Sequence, residues 1–329
     1  MGPHPAVAAV RLAVRACLVD ADLEPGSTFV VACSGGADSL ALLAATVFES
    51  RRDEYRVVGL TVDHGLQRGS GQRAEEVADQ MRDLGVDTAQ VVSVEVGTAG
   101  GREAAARSAR YDALDRAAVD HRAAAVLLGH TLDDQAETVL LGLARGSGAR
   151  SLSGMAPVAG IYRRPLLALS REATVAACDA ERIRFWQDPH NVDPSYTRVR
   201  VRHQVLPVLE EELGPGVADA LARTARLLRD DADALDSMAA AALVAVRDQD
   251  GALLVEPLLS WPPAVRRRVL RLAALAAGCP ATELFLVHVD AMDALVTNWR
   301  GQQGVDLPGP VRAQRTGATI EFVRGPVAG

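Results

Sequence analysis

The sequence contains no lysine, so all 35 of its basic residues are arginines. A phosphate-binding loop of the Walker A type is therefore excluded, because that loop uses a lysine. Long uncharged apolar runs are also missing, and none approaches the length that a membrane-spanning helix needs. The stretch from Pro5 to Ala21 is apolar but contains Arg11 and Arg15, which favours an amphipathic helix over a signal peptide. We expect a soluble, cytoplasmic protein with no membrane partner.

Cysteines are few and widely separated. They stand at Cys17, Cys33, Cys178 and Cys279, with no C-x-x-C pair. This spacing argues against a disulfide framework, a zinc knuckle and a cysteine-held iron–sulfur cluster. We expect small buried apolar side chains in a reducing compartment.

The net charge of −7 does not favour general nucleic-acid binding, because proteins that bind by counterion release usually carry excess positive charge. Any such contact must be local. Arg198, Arg200 and Arg202 alternate in one segment, and Arg266 to Arg268 with Arg271 form another basic cluster. These arginines are candidates for phosphate contacts, and pairing with the chain's 42 acidic residues is the open alternative.

Valine-rich runs alternate with helical patterns in the first half of the chain, which predicts βαβ units around a buried parallel sheet. The predicted strands are Phe29 to Cys33, Val57 to Val62, Gln90 to Val96 and Ala125 to Gly129, and the predicted helices between them are Ser39 to Ser50, Arg73 to Leu84 and Arg102 to His121. We expect an α/β domain with a parallel doubly wound sheet over residues 1–213. Ligands of such a sheet bind beyond the carboxyl ends of its strands.

The second half of the chain is mainly helical in its pattern. A strand-like piece from Ile161 to Leu167 and a helix from Ser170 to Ala180 precede the boundary at Gly214-Pro-Gly216. Further predicted helices are Val217 to Val246, Pro263 to Ala277 and Glu283 to Val296. We predict a helical domain over residues 217–329 that ends in a small hairpin formed by Leu307 to Pro310 and Ala318 to Val323.

A tight polar turn, Ser34-Gly-Gly-Ala-Asp-Ser39, joins the first predicted strand to its helix. The turn places backbone N–H groups and two hydroxyls at a helix N-terminus, where the helix dipole favours an anion. The carboxylate of Asp38 would tolerate a phosphate there if a Mg²⁺ ion lay between them. We predict a phosphate site, and an ordinary N-capped turn is the alternative.

Polar residues follow other strands or face the same edge. Asp63 and His64 end the second strand, where a nucleotide base or ribose could lie, although a capping turn would look similar. Arg107, Arg110 and Tyr111 share one face of a predicted helix. An arginine there could hold a phosphate through two hydrogen bonds, or the face could be a solvated set of ion pairs.

The fourth strand leads into His130 and then into an acidic first helical turn with Asp133, Asp134 and Glu137. Acids in a first turn are favoured by the helix dipole alone. They could also hold an ammonium group, and His130 could meet a phosphate or relay a proton.

Seven stretches, taken in order, resemble the tRNA(Ile)-lysidine synthetases, a family of N-type ATP pyrophosphatases within the PP-loop superfamily. They are Ser34–Ser39, Val62–Leu66, Ala106–Tyr111, His130–Thr138, Arg145–Met155, Arg163–Leu167 and Arg198–Pro207. The H-x-x-D-D-x-x-E-T and R-G-x-G-x-x-x-L-x-G-M motifs are more specific than the S-G-G-x-D-S loop. The resemblance implies a fold like that of the adenine nucleotide alpha hydrolases.

The resemblance also implies a reaction. ATP adenylates the C2 oxygen of the wobble cytidine in the isoleucine tRNA with a CAU anticodon, and the ε-amine of free L-lysine then displaces AMP to give lysidine. On this basis we predict four sets of site residues. They are a catalytic set (Asp38, Arg110, His130), an ATP set (Ser34, Gly35, Gly36, Ala37, Asp38, Ser39, Asp63, His64) with Mg²⁺ on Asp38, a lysine set (Asp134, Glu137) and a tRNA set (Arg145, Arg198, Arg200, Arg202).

Rival functions are weaker on the same residues. A 2-thiocytidine synthase would share the phosphate loop but needs cysteines for its cluster chemistry, and GMP or asparagine synthesis would need an ammonia source. A non-catalytic nucleotide- or tRNA-binding module would not require Asp38 or the acidic turn. We therefore expect a carbon–nitrogen ligase, with His130 and Asp38 both open as the general base and a homodimer as one allowed assembly.

Overall fold

The computed structural model describes residues 2–21, 23–65, 69–97, 101–146, 148–188 and 192–325, apart from the side chains of residues 102 and 103. The chain divides into two compact units, Met1–Leu227 and Leu228–Gly329. The sequence-based boundary at residues 214–216 lies slightly earlier, and the functional domains drawn from it remain a prediction. Within the described part of the chain, no helix has the length and apolar character needed to span a membrane.

The first unit contains a six-stranded sheet. Its strands are β1 (Thr28–Ala32), β2 (Arg56–Asp63), β3 (Thr88–Ser93), β4 (Ala123–Leu127), β5 (Val158–Ala159) and β6 (Tyr162–Arg163). They are ordered β3-β2-β1-β4-β6-β5, and all neighbours are parallel except the β5–β6 pair. The predicted parallel doubly wound sheet is confirmed.

Helices cover both faces of this sheet. They are α1 (Pro5–Asp20), α2 (Ala37–Ser50), α3 (Ser70–Asp83), α4 (Arg102–Asp120), α5 (Leu132–Ala144), α6 (Ala149–Leu152), α7 (Arg171–Ala180), α8 (Thr197–Arg200), a π turn (Val201–Val205) and α9 (Leu206–Leu213). Side chains alternate across a strand, so Phe29 and Val31 pack with α1, α2 and α7 while Val30 packs with α4. All three are fully buried, which explains the uninterrupted apolar run.

The strand order brings three polar turns to one edge. Strands β2, β1 and β4 are adjacent, and their carboxyl ends lead into His64, the 33–36 loop and His130, respectively. Parallel neighbours end at the same edge, so residues far apart in sequence meet there.

The second unit has helices and an antiparallel sheet. The helices are α10 (Val217–Val246), which crosses the division between the units, α11 (Val255–Ser260), α12 (Pro263–Ala276) and α13 (Leu286–Thr297), and the strands are β7 (Leu253–Leu254), β8 (Val305–Leu307), β9 (Val311–Thr316) and β10 (Thr319–Arg324). The sheet order is β7-β10-β9-β8. The predicted terminal hairpin was therefore wrong in extent, because the strand that pairs with β10 is β9, in which only Val311 and Ala313 are apolar.

A second correction concerns the predicted strand from Ile161 to Leu167. Only Tyr162–Arg163 forms a strand. Pro165 has no N–H to continue the ladder, and the N–H of Arg164 donates to the carbonyl of Pro157 (2.8 Å). Of the cysteines, Cys33, Cys178 and Cys279 are buried and Cys17 is partly exposed, and all four are free thiols.

The basic cluster in α12 is paired within the second unit. Arg266 donates to Asp293 through Nε (2.6 Å) and to the carbonyl of Trp261 (3.1 Å). Arg267 lies 3.3 Å from Asp290, and Arg268 pairs with Asp236 at 2.7 Å. Arg271 donates to the Leu284 carbonyl. These arginines are therefore hydrogen-bonded or ion-paired within the second unit, as the alternative to phosphate contacts expected.

The Arg266–Asp293 pair gives a stability prediction. Each side chain is only 9% exposed, so Asp293→Ala leaves a buried guanidinium without its carboxylate and should lower the free energy of unfolding by about 3 kcal/mol. Asp290→Ala, one turn earlier on α13, removes a partner of the half-exposed Arg267 and should cost less than about 1 kcal/mol. Urea unfolding followed by tryptophan fluorescence measures both, and equal losses would contradict the assignment.

Candidate active site

The polar loop after β1 is closed by Ser39. Its hydroxyl accepts a hydrogen bond from the Ser34 N–H (3.1 Å) and donates to the Gly36 carbonyl (2.9 Å). Gly35 has φ +80°, and a Cβ there would lie 2.6 Å from Cγ2 of Val77, so only glycine fits. Gly36 is the N-cap of α2. The loop therefore presents backbone N–H groups at a helix N-terminus, as an anion site requires.

Asp38 lies in the first turn of α2 with two partners from α7. Oδ1 accepts a hydrogen bond from the Thr174 hydroxyl, and Oδ2 lies 3.1 Å from Nη1 of Arg171. Burial raises the pKa of Asp38, against the opposing effect of Arg171. A nearby cation is therefore favourable for this carboxylate.

A cationic wall lies at the same edge of the sheet. Its buried side-chain atoms without a hydrogen-bond partner are Nε of Arg110, Nδ1 of His64 and Nδ1 of His130, and all three residues line the cavity described below. Unpaired buried polar atoms are costly unless a ligand satisfies them. Burial lowers the pKa values of Arg110 and His64. This wall suits a phosphate or a polar base edge.

His130 is uncharged at neutral pH. Burial is the largest cause, and with Arg110 and Arg164 it lowers the pKa of His130 to about 4, although Asp134 acts in the opposite direction. A neutral imidazole among cations is a poor proton acceptor but can still donate a hydrogen bond.

The acidic turn of α5 is divided between two tasks. Asp133 accepts a hydrogen bond from the Arg171 N–H (2.8 Å) and so caps α7, which corrects the expectation that three acids gather at one point. Oδ2 of Asp134 accepts from the Thr131 N–H (2.9 Å) in a capping box. Glu137 is fully buried. Only Asp134 and Glu137 therefore form an acid pair.

An arginine from the π turn binds this acid pair. Nε of Arg202 donates to Oε1 of Glu137 (2.5 Å), and Nη2 donates to Oδ1 of Asp134 (3.0 Å). Nε of Arg198 lies 3.9 Å from Oε2 of Glu137. Burial raises the pKa of Glu137 despite the opposing charge of Arg202.

The two most specific motifs contact each other. The Gln135 side chain accepts from the Met155 N–H (2.7 Å) and donates to the Met155 carbonyl (3.0 Å). Gly154 has φ +61°, and a Cβ there would lie 2.5 Å from Oε1 of Gln135. This clamp fixes the segment after α5 against the acidic helix. Ser147 of that segment and Leu66 of the second-strand motif lie outside the described residues.

Most predicted site residues line one cavity of about 710 Å³. Those in its wall are Ser34, Gly36, Asp38, Ser39, Asp63, His64, Arg110, His130, Asp134, Arg198 and Arg202. Glu137 does not line it. Arg145 is the exposed C-cap of α5, and Arg200 donates to the carbonyls of Pro194 and Ser195. The proposed roles of all these residues remain predictions.

Sequence reasoning missed several polar and aromatic residues of the cavity wall. Arg73, Arg171, Trp186 and Tyr196 all line it. The Arg73 guanidinium lies 5.0 Å from the Trp186 ring centre, and the Trp186 N–H donates to the Gly35 carbonyl (2.9 Å). An isolated tryptophan beyond the sheet gave no periodic signal.

The low pKa of His130 predicts acid sensitivity. The unfolded chain takes up a proton near pH 6.5, whereas the folded chain does so near pH 4, so this contribution to stability is complete above pH 6.5 and is lost as the pH falls to 4. The difference corresponds to about 3 kcal/mol. In His130→Asn the loss between pH 7 and 4.5, measured by urea unfolding, should shrink. Exposed His203→Asn is the control, and an unchanged loss in His130→Asn would contradict the prediction.

Comparison with known proteins identifies the family. A PP-loop domain model matches residues 11–209, and a TilS substrate binding domain model matches residues 253–317. A solved U34-tRNA thiolase from Methanococcus maripaludis has a TM-score of 0.55 and 18% identity, over 67% of this chain and 78% of that chain. At that identity the likeness shows the fold alone, of the adenine nucleotide alpha hydrolase type.

Curated relatives match almost from end to end. The tRNA(Ile)-lysidine synthase of Streptomyces coelicolor is 55% identical, with 99% of this chain and 100% of that protein covered. The tRNA(Ile)-lysidine synthase of Thermobifida fusca is 59% identical, with 95% and 96% covered. With more than half of the residues identical over nearly the full length of both proteins, the chain belongs to the tRNA(Ile)-lysidine synthase family.

Proposed function

We propose that this protein is a ligase that joins free L-lysine to C2 of the wobble cytidine in a CAU-anticodon isoleucine tRNA. One observation carries the proposal beyond family membership: the cavity that holds the phosphate loop is also lined by Asp134 and by the arginines that cover Glu137. A site for an anion and a site for an ammonium group would thus lie in the same cavity. A non-catalytic binding module would need no such pair.

ATP is the substrate that the PP-loop domain supports. Its phosphates would accept hydrogen bonds from the backbone N–H groups between Ser34 and Ser39, and the base or ribose would lie toward Asp63 and His64. The donor chemistry also fits Mg²⁺, which in phosphate sites commonly uses one carboxylate with phosphate oxygens. Asp38 would supply that carboxylate. A bound Mg²⁺ would neutralise charge on the phosphates.

The cationic wall would serve the first step. The C2 oxygen of cytidine bonds to the α-phosphorus while the bond to the bridging oxygen breaks and pyrophosphate leaves. Arg110 is placed to hold phosphate charge, because its Nε is buried without a partner. Neutral His130 is better suited to donate a hydrogen bond there than to act as the base, since burial and nearby arginines disfavour its protonated form.

Lysine would use the acid pair in the second step. Its ammonium must lose one proton before the nitrogen lone pair attacks C2, and the C2–oxygen bond then breaks as AMP leaves. Glu137 supports ammonium binding because it is a buried carboxylate with an unpartnered oxygen. Desolvation of the ammonium in such a niche favours loss of its proton, although the acids oppose that loss.

Transfer RNA contacts are assigned to Arg145, Arg198 and Arg200, with Arg202 as a fourth candidate. Exposed Arg145 follows the acidic helix, next to the segment that Gln135 clamps. The target cytidine would have to leave its stack to reach the cavity.

A cytoplasmic location is supported by four free, dispersed cysteines. A homodimer stays a prediction.

The direct test is lysine transfer. We expect the protein, with ATP and Mg²⁺, to place labelled lysine on an isoleucine tRNA transcript bearing CAU and to release one pyrophosphate per lysine. A transcript with adenosine at the wobble position is the matched control and should stay unlabelled. Pyrophosphate release without label in the RNA would contradict the assignment of lysine as the nucleophile.

The loop predicts a second result. A Cβ at Gly129 would lie 3.0 Å from the Asp38 carbonyl oxygen and 3.2 Å from Cα of Ser39, so Gly129→Ala should push the phosphate loop and weaken ATP binding at least tenfold. Gly97→Ala, where nothing lies within 4 Å of the new Cβ, should bind normally. Calorimetric titration with ATP·Mg²⁺ measures the ATP affinity of both variants. Equal affinities would contradict the assignment of the loop to the nucleotide site.

A further inference from the structure

We propose that Arg202 is a displaceable occupant of the lysine site, so that its guanidinium and the substrate's ammonium are alternative partners of Glu137. This inference rests on the proposed function, because it assigns the acid pair to lysine. It gives Arg202 a role as a positioning residue for the amino-acid substrate. It also accounts for why a predicted tRNA contact lies among acids.

The first argument is the closure of Glu137. Its side chain is 0% exposed and it is absent from the cavity wall, whereas Arg198 and Arg202, the two arginines that approach it, both line the cavity. An amino acid entering the cavity would meet these guanidinium groups first. Contact between an ammonium and Glu137 therefore requires Arg202 to move.

The second argument is the unfinished hydrogen bonding of Glu137. Arg202 satisfies Oε1 at 2.5 Å, but Oε2 is buried without a hydrogen-bond partner. Nε of Arg198 stays 3.9 Å away, beyond hydrogen-bond distance. An unsatisfied buried acceptor is unfavourable. A primary ammonium with three donors could bond Glu137 and Asp134 together and also reach this oxygen.

The third argument is the backbone that carries Arg202. Residues 201–205 form a π turn within an otherwise α-helical run, and the N–H of Leu206 donates to the carbonyl of Val201. Pro207 follows at once. Proline cannot donate to the carbonyl four residues back, at His203, and its ring crowds that carbonyl. The proline therefore favours the π turn, which sets the direction of Arg202, and such turns are frequent at functional sites.

A fourth argument concerns what would draw Arg202 away. Arg202 lines the same cavity as Ser34, Asp38 and Ser39. Phosphate oxygens bound at that loop would offer the guanidinium another bidentate partner. Nucleotide binding would then release the acid pair, so lysine would bind well only after ATP has bound.

The test measures lysine affinity directly, by equilibrium dialysis with labelled L-lysine and no nucleotide or tRNA. Arg202→Ala should bind lysine about tenfold more tightly than the wild type. Arg202→Lys restores a cation at that position and should return the affinity to within about twofold of wild type. His203→Asn, which changes an exposed side chain of the same π turn, is the control and should be unchanged.

Two further variants separate occupancy from misfolding. Pro207→Ala alters no side chain of the acid pair, yet it permits a regular α-helix and should also tighten lysine binding. Glu137→Gln added to Arg202→Ala should abolish the gain. Adding α,β-methylene ATP with Mg²⁺ should tighten lysine binding in the wild type and leave Arg202→Ala unchanged. Circular dichroism checks the fold of each variant.

The proposal is overturned if folded Arg202→Ala binds lysine no more tightly than the wild type. If Arg202→Ala does not fold, Pro207→Ala decides the question on the same criterion. An unaltered Pro207→Ala beside a tighter Arg202→Ala overturns the part assigned to the π turn. Lysine transfer to tRNA by the wild-type protein distinguishes the two proposals. If no lysine is transferred, the proposed function is contradicted. If lysine is transferred but Arg202→Ala binds lysine no more tightly, only the proposal that Arg202 is displaceable is contradicted.

Discussion

The site depends on one constraint, a carboxylate held entirely away from solvent at Glu137. A buried carboxylate must be paired, protonated or hydrogen-bonded, because the low dielectric of the interior penalises its charge. Arg202 provides the cation in the structure. The capping box at Thr131 and Asp134 and the clamp from Gln135 to Met155 fix the helix on which Glu137 stands.

The rest of the cavity wall carries several arginines and histidines as well as Asp38 and Asp63. Arg110 and neutral His130 lie where phosphate and base would bind, whereas Asp134 lines the same cavity and Glu137 lies behind Arg198 and Arg202. Arg171 pairs with Asp38 there, and Arg202 pairs with Asp134 and Glu137 from a separate helical run. Under the proposed function, one cavity would bind an anion and a cation at different stages.

The sequence predicted the fold well where its signal was periodic. The valine runs around Val30 and Val58 identified the central strands, and α10 was predicted over its observed range Val217–Val246. The two-residue strands β5 and β7 were not predicted because alternation cannot be recognised over so few residues. The motifs placed eleven predicted site residues in the cavity wall, whereas Trp186 and Arg73 come together only through tertiary contacts.

The arginines show why residue type alone could not assign roles. Arg198, Arg200 and Arg202 are evenly spaced, which suggested one phosphate-binding row. In a helical run, residues two apart do not share a face whereas residues four apart do, so Arg198 and Arg202 both approach the acids while Arg200 donates to loop carbonyls. Pro207 indicated a break in the helix. Its effect on the direction of the Arg202 side chain could not be predicted, because that direction depends on which backbone carbonyl loses its hydrogen bond. A guanidinium can bind a carboxylate or a phosphate with the same fork of donors, and the proposed exchange of Glu137 for a nucleotide would use that capacity.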